Sequence, residues 1–179
     1  TAFVRQFTGD GRGTAPGHLQ GAVDQLDQAG YAVIPPSGTF RNLIRQLDFI
    51  IGHLGFRIIQ LLPIHPAPTT YARMGRYGSP FASGDYCTVD PALAEFDTRA
   101  TPLDQFRELA DAVHARQARL LIDLPANHTG WASTFHTHHP EWFVRNPDGS
   151  FKSPGAWGTI WADLIELDYR HPELRAAMA

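Results

Sequence analysis

Arg119-Leu120-Leu121-Ile122-Asp123-Leu124-Pro125-Ala126-Asn127-His128-Thr129-Gly130 is the stretch on which the reading of the fold turns. It opens with an apolar run, Leu120 to Ile122, of the kind a fully buried strand shows. Pro125 stops the strand, because proline has no N–H to give a sheet. Asp123, Asn127 and His128 then crowd the exit. In parallel sheets and barrels, functional side chains gather where strands leave the sheet at their C-terminal ends. Taken alone, the stretch is equally well a buried strand followed by a hydrogen-bonded turn.

Working outward, Thr101-Pro102-Leu103-Asp104 carries the signature of a helix start, with an N-cap, a proline in the first turn and an acid at the third position. Phe106, Leu109, Ala110 and Val113 share one face, so a helix over 102–116 leads into a strand over 119–124. Farther back, Arg57 to Leu62 reads as a strand, at about 57–62, ended by Pro63. Its apolar character without alternation suits a parallel strand covered on both faces. Phe40, Leu43, Ile44, Leu47, Ile50, Ile51 and Leu54 recur at three- and four-residue steps. They predict a helix over 39–54, capped by Thr39 and stopped by Gly55. Phe3 to Phe7 reads as a first strand, at about 2–7. Leu19, Ala22, Val23 and Leu26 have helical spacing, but no role can be assigned to residues 14–36.

Two long irregular stretches remain, Ile64 to Ala100 and Thr129 to Leu167, and such excursions in a compact domain are usually functional. Pro172 to Ala179 begins another helix. The order strand, helix, strand, helix, strand indicates parallel strands with covering helices. Three strands do not close a barrel, so the chain is read as the first part of a larger (β/α) domain.

With 43% hydrophobic and 18% charged residues in 179, the chain is globular. A net charge of −3 gives no reason to expect nucleic acid or an anionic membrane as partner. No apolar run reaches membrane-spanning length, and no signal peptide is recognisable. Cys87 is the only cysteine, so no internal disulfide forms. Together these favour a cytoplasmic over a secreted location.

Several segments, in one shared order, resemble the α-amylase family of glycoside hydrolases and transglycosylases, whose catalytic domain is a TIM (β/α)8 barrel. They are Phe3 to Phe7; Gly38-Thr39-Phe40 with Leu54-Gly55-Phe56; Leu61-Leu62-Pro63-Ile64; Asp85-Tyr86-Cys87-Thr88-Val89-Asp90-Pro91; Asp123 to His128; His139-Pro140-Glu141-Trp142-Phe143; and Leu167-Asp168 with Pro172-Glu173. The resemblance implies that residues 1–179 are the N-terminal part of that barrel, strands 1 to 3, with 129–167 a short domain-B-like insertion. The implied substrate is an α-glucan or oligosaccharide, hydrolysed or transferred by a retaining mechanism.

The resemblance also assigns roles. His128 matches the histidine that hydrogen-bonds the sugar beside the scissile bond. Phe81 lies four residues before Asp85, where the family usually has a stacking Tyr, and Asp85 is grouped with these as substrate-binding. Asp123 matches a carboxylate that braces the site. Asn127 matches an asparagine that ligates calcium in many members, and no other cofactor is implied. The family's nucleophile, general acid and third carboxylate follow strands four, five and seven. They are expected beyond Ala179, in the remainder of the same polypeptide, and this chain alone is expected to be inactive.

Other residues invite competing readings. His136, His138 and His139 have spacing that zinc would accept, which would make the protein a metal-dependent hydrolase. Arg73 and Arg76 read as solvated charges that a sugar could meet. Trp131, Trp142, Trp157 and Trp161 suit either sugar stacking or a small core. A barrel relative without catalytic carboxylates, kept for carbohydrate binding or assembly, is the alternative to an enzyme.

Overall fold

The computed structural model describes residues 1–7, 21, 25–26, 28–30, 37–68 and 77–179. These fall into two compact units, one of Thr1–Ile64 with Val89–Asp123 and one of His65–Thr88 with Leu124–Ala179. Most of 14–36, together with Arg73 and Arg76, lies outside the described residues.

In the first unit, Thr39 caps helix α1, Phe40–Ile44, through a reciprocal box. The Asn42 N–H donates to Thr39 Oγ1 at 3.2 Å, and the Thr39 N–H donates to Asn42 Oδ1 at 2.9 Å. The single helix expected over 39–54 is not continuous. α1 ends at Ile44, and after a turn the chain widens into a π-helical segment, Asp48–His53. That segment holds β-branched Ile50 and Ile51 beside Gly52, poor formers of a regular α-helix. The wider turn still buries Ile51, and Gly55 at φ +78° ends it.

Strand β1, Ile58–Leu61, pairs in parallel with β2, Arg119–Ile122, from Ile58 opposite Arg119 to Leu61 opposite Ile122. Helix α2, Pro102–Ala115, connects toward β2 and is capped by Thr101 and Asp104 as expected. The first expected strand, 2–7, shrinks to one parallel bridge. The Ala2 N–H donates to Gln60 O at 2.6 Å, and Leu62 N–H donates to Ala2 O at 3.0 Å. Val4–Gln6 then coils into a 3-10 turn, because Phe3 O, Val4 O and Arg5 O accept from Gln6, Phe7 and Gly38 instead of a ladder. Gly38 is required there, since a Cβ would lie 2.3 Å from Val4 O.

The core of this unit joins Phe40, Leu43 and Leu47 to Leu109 and Val113 of α2 and to Ile59 and Leu61 of β1. Phe106 meets Phe40 edge-on at 5.7 Å. The expected burial of both strand faces is not met within the unit: Ile58 is 56% exposed and Leu121 50%. Ile59 and Leu61 point to the core, so their neighbours on the opposite face of the pleat do not.

The second unit is more ordered than an irregular excursion over 129–167. β3, His128–Gly130, pairs antiparallel with β6, Leu164–Glu166. Between them lie α3, Thr134–His138, and a tight hairpin of β4, Gly155–Ala156, and β5, Thr159–Ile160. α4, Pro172–Ala177, follows. Trp142, Phe143, Ile165, Leu167 and Leu174 form its core. The unit begins at Leu124 and also takes in His65–Thr88. No described helix is long and apolar enough to cross a membrane.

Candidate functional site

The exit strip Pro125 to His128 is held carbonyl by carbonyl. The Tyr86 hydroxyl donates between Pro125 O at 2.7 Å and His128 O at 2.6 Å. The Tyr169 hydroxyl donates to Ala126 O, and the Leu167 N–H to Asn127 O at 3.1 Å. Burial pushes the Tyr86 phenol well above its usual range, so it stays a donor. Tyr86 and Tyr169 were not singled out as site residues from the sequence. Tyr86 nonetheless stood in the Asp85 to Pro91 motif, where a buried Tyr needs a partner for its hydroxyl.

Gly130 continues the strip, with its N–H donating to Ser83 O at 2.9 Å. A Cβ there would sit 2.6 Å from Pro68 Cγ and 2.8 Å from Ala82 O, so only glycine permits this approach. The loop carrying Ala82 and Ser83 is thereby drawn onto β3, which brings Phe81 to His128.

His128 was expected to face open space. It does not: the residue is 6% exposed, with Nε2 3.2 Å from Phe81 O. Tight packing of the Phe81–Ser83 loop over glycine-bearing β3 is the physical reason. A carbonyl only accepts, so Nε2 carries the proton and Nδ1 is a bare acceptor. Nδ1 is buried and has no hydrogen-bond partner among the described residues. Burial lowers the imidazole below its usual 6.5, opposed by the Phe81 hydrogen bond and by the charge of Asp163. The ring is therefore neutral at pH 7.

The other expected site residues are placed as follows. Phe81 contributes its carbonyl to His128, and its residue is 38% exposed. Asp85 closes a local turn, its Oδ1 accepting from the Cys87 N–H at 2.7 Å. Asp123 belongs to the first unit, where its N–H donates to Leu61 O at 2.9 Å and extends the β1–β2 ladder. Asn127 is exposed. Calcium takes six to eight oxygens. Among the described residues no group of three or more His, Cys, Asp or Glu side chains is placed to hold a metal.

The three clustered histidines have separate partners. His136 Nδ1 accepts from the Ala132 N–H at 3.1 Å, and its ring stands edge-on to Phe151 at 4.6 Å. His138 Nδ1 lies 3.0 Å from Thr134 O, and His139 stacks on Trp142 at 3.9 Å. The tryptophans divide: Trp142 is core, Trp131 packs against that core, and Trp157 and Trp161 are exposed.

Comparison with known proteins now bears on this arrangement. No family model matches the chain. An α-1,4-glucan:maltose-1-phosphate maltosyltransferase of Burkholderia pseudomallei is 31% identical over 149 residues, 74% of this chain and 12% of that protein. The trehalose synthase/amylase TreS of Mycobacterium tuberculosis is 35% identical over 135 residues, 73% of this chain and 18% of that protein. The chain thus spans less than a fifth of the length of these two curated relatives. The crystal structure of an α-amylase from Lactobacillus plantarum superposes with a TM-score of 0.68 at 34% identity, over 78% of this chain and 30% of that one. A maltogenic α-amylase from Thermotoga neapolitana gives 0.63 at 28% identity, over 78% of this chain and 30% of that one. Sequence and fold agree, and the chain belongs, as a partial match, to the α-amylase family of glycoside hydrolases and transglycosylases, with the fold of part of its TIM barrel.

Proposed function

We propose that the protein of which this chain is a part is an enzyme that hydrolyses or transfers α-glucosidic bonds of α-glucans or oligosaccharides with retention of configuration. The observation that carries this is the identity of 31% sustained over 149 residues with a maltosyltransferase that acts between α-1,4-glucan and maltose 1-phosphate. In this reading β1 and β2 are the second and third barrel strands, and the Ala2 bridge is the remnant of the first. Retention needs a carboxylate nucleophile and an acid about 5–5.5 Å apart. The reading assigns neither to this chain, whose part is to bind the saccharide.

His128 is the residue proposed to meet the sugar. Its Nδ1 is the free acceptor, ready for a sugar hydroxyl once the Phe81 loop shifts aside. An unpaired buried acceptor costs about 1–3 kcal/mol, which a donor hydroxyl would offset. Phe81 is proposed to offer its ring face, Asp85 to hold the loop turn or meet the sugar, and Asp123 with Asn127 to support the exit strip.

The test is turnover of maltooligosaccharides by the full-length protein, with product anomers followed by NMR. Retained configuration is expected. His128→Ala should lower kcat about 10- to 100-fold with its melting temperature held within a few degrees. Inverted products, or loss of folding in step with activity, would overturn the assignment. Tight saccharide binding without turnover would favour the non-catalytic relative.

A further inference from the structure

We infer that the turn over 79–82 is a lid on His128, pivoting at Ser83 and poised to lift in the protein without any ligand. The residues involved all belong to the second unit. Their packing alone carries this, whatever group His128 meets.

The turn is closed on itself and pinned behind. The Ala82 N–H donates to Ser79 O at 3.1 Å, and the Phe81 N–H to Ser79 Oγ at 3.2 Å, so 79–82 moves as one piece. The peptide that follows Ser83 is fixed on both edges. Ser83 O accepts from the Gly130 N–H at 2.9 Å, and the Gly84 N–H donates to Pro66 O at 2.6 Å. A hinge therefore falls on the φ and ψ of Ser83. Ahead of that hinge, the His128 Nε2–H ties the turn to β3 by donating to Phe81 O. At 3.2 Å this bond is at the long end of its kind.

Closing the lid gains little apolar burial and strands two polar atoms. Ala82 is buried, but Phe81 stays 38% exposed. Beneath the turn, Ser83 Oγ and His128 Nδ1 are buried with no hydrogen-bond partner among the described residues. The Ser83 hydroxyl is near enough to the Tyr86 phenol to influence it, yet makes no hydrogen bond. The Tyr86 hydroxyl is committed to Pro125 O and His128 O. Buried donors and acceptors are nearly always paired, and each one left unpaired opposes the state that buries it. Lifting the turn hands both atoms to water and breaks one long hydrogen bond that water replaces. Segments with few buried apolar contacts open locally, ahead of global unfolding. The same motion uncovers the His128 imidazole, which the closed turn seals.

The experiment labels the folded full-length protein with diethyl pyrocarbonate, which acylates accessible imidazoles, and reads each histidine by mass spectrometry. Amide hydrogen exchange at Leu167, which is buried and donates to Asn127 O, reports unfolding of the unit. His128 should be labelled while the Leu167 amide is still protected. Ser83→Ala deletes one stranded atom and so favours the closed turn. It should slow labelling of His128 about tenfold. Labelling of exposed His138 and exchange at Leu167 should stay as in the wild type. Labelling of His128 no faster than exchange at Leu167 would overturn the lid. So would labelling that is unchanged or faster in Ser83→Ala, or slowed in step with Leu167. No saccharide is present, so the outcome is separate from that of the enzymatic proposal, which turnover tests.

Discussion

Tyr86 shows how one side chain sets the geometry around His128. Its hydroxyl reaches the carbonyls on both sides of the strip, and its ring packs against His65 at 5.7 Å and Phe135 at 5.5 Å. Tyr86→Phe keeps the packing and strands two partly buried carbonyls. The expected loss is about 1–2 kcal/mol in chemical denaturation of the protein. No change would mean that other groups satisfy Pro125 and His128. The motif Asp123 to His128 was legible in the sequence because its residue types and spacing are chemical. What Tyr86 does was not legible, because a hydroxyl's partner is chosen by the fold 39 and 42 residues away. The same holds for His128: the sequence marked the residue, while its burial depends on how closely Gly130 lets the Phe81–Ser83 loop approach.

At the scale of elements, periodicity located α2 but missed the break inside the apolar stripe over 39–54. α2 and its Thr101–Asp104 cap follow from local sequence, as does the parallel pairing of β1 with β2. The break between α1 and the π segment comes from local propensities that a hydrophobic stripe conceals. The short β3–β6 ladder joins segments that carry no strand-length apolar run. Loops in the first unit are fixed by buried polar groups instead. Gln105 is fully buried, its Nε2 donating to Glu95 O at 2.7 Å and its Oε1 accepting from Glu95 N at 2.9 Å. Arg5 and Asp90, both buried, form an ion pair at 3.1 Å, and Asp90 also caps the turn at Ala92. Asp90→Leu removes the carboxylate from beside a buried guanidinium and deletes the cap. A loss of about 3–5 kcal/mol is expected, and the pair Arg5→Met with Asp90→Leu should lose less than Asp90→Leu alone. Equal or greater loss in the double variant, read from denaturant midpoints, would show that the charge pair is not what holds this loop.

For the whole molecule, His128, His136 and Asp168 push stability in one direction with pH. His128 and His136 both bind protons less readily folded than unfolded: burial lowers each below 6.5, and the Arg145 charge adds to this at His136. The unfolded chain therefore takes up more protons as pH falls through about 6.5, and stability drops. Asp168 acts in the same sense at lower pH. Its carboxylate, paired with the Arg170 guanidinium at 2.6 Å, is held down to about 2 against an ordinary 3.8, so its contribution is full above about 4 and fades below. The melting temperature of the protein should accordingly fall as pH is lowered from 7 to 5, and fall again below 4. His136→Gln separates the two imidazoles, since a glutamine oxygen can accept from the Ala132 N–H without titrating. That variant should lose part of the drop between pH 7 and 5 and keep the drop below 4. A wild-type melting temperature that stays level or rises on acidification from 7 to 5 would show that neither imidazole is held neutral by the fold.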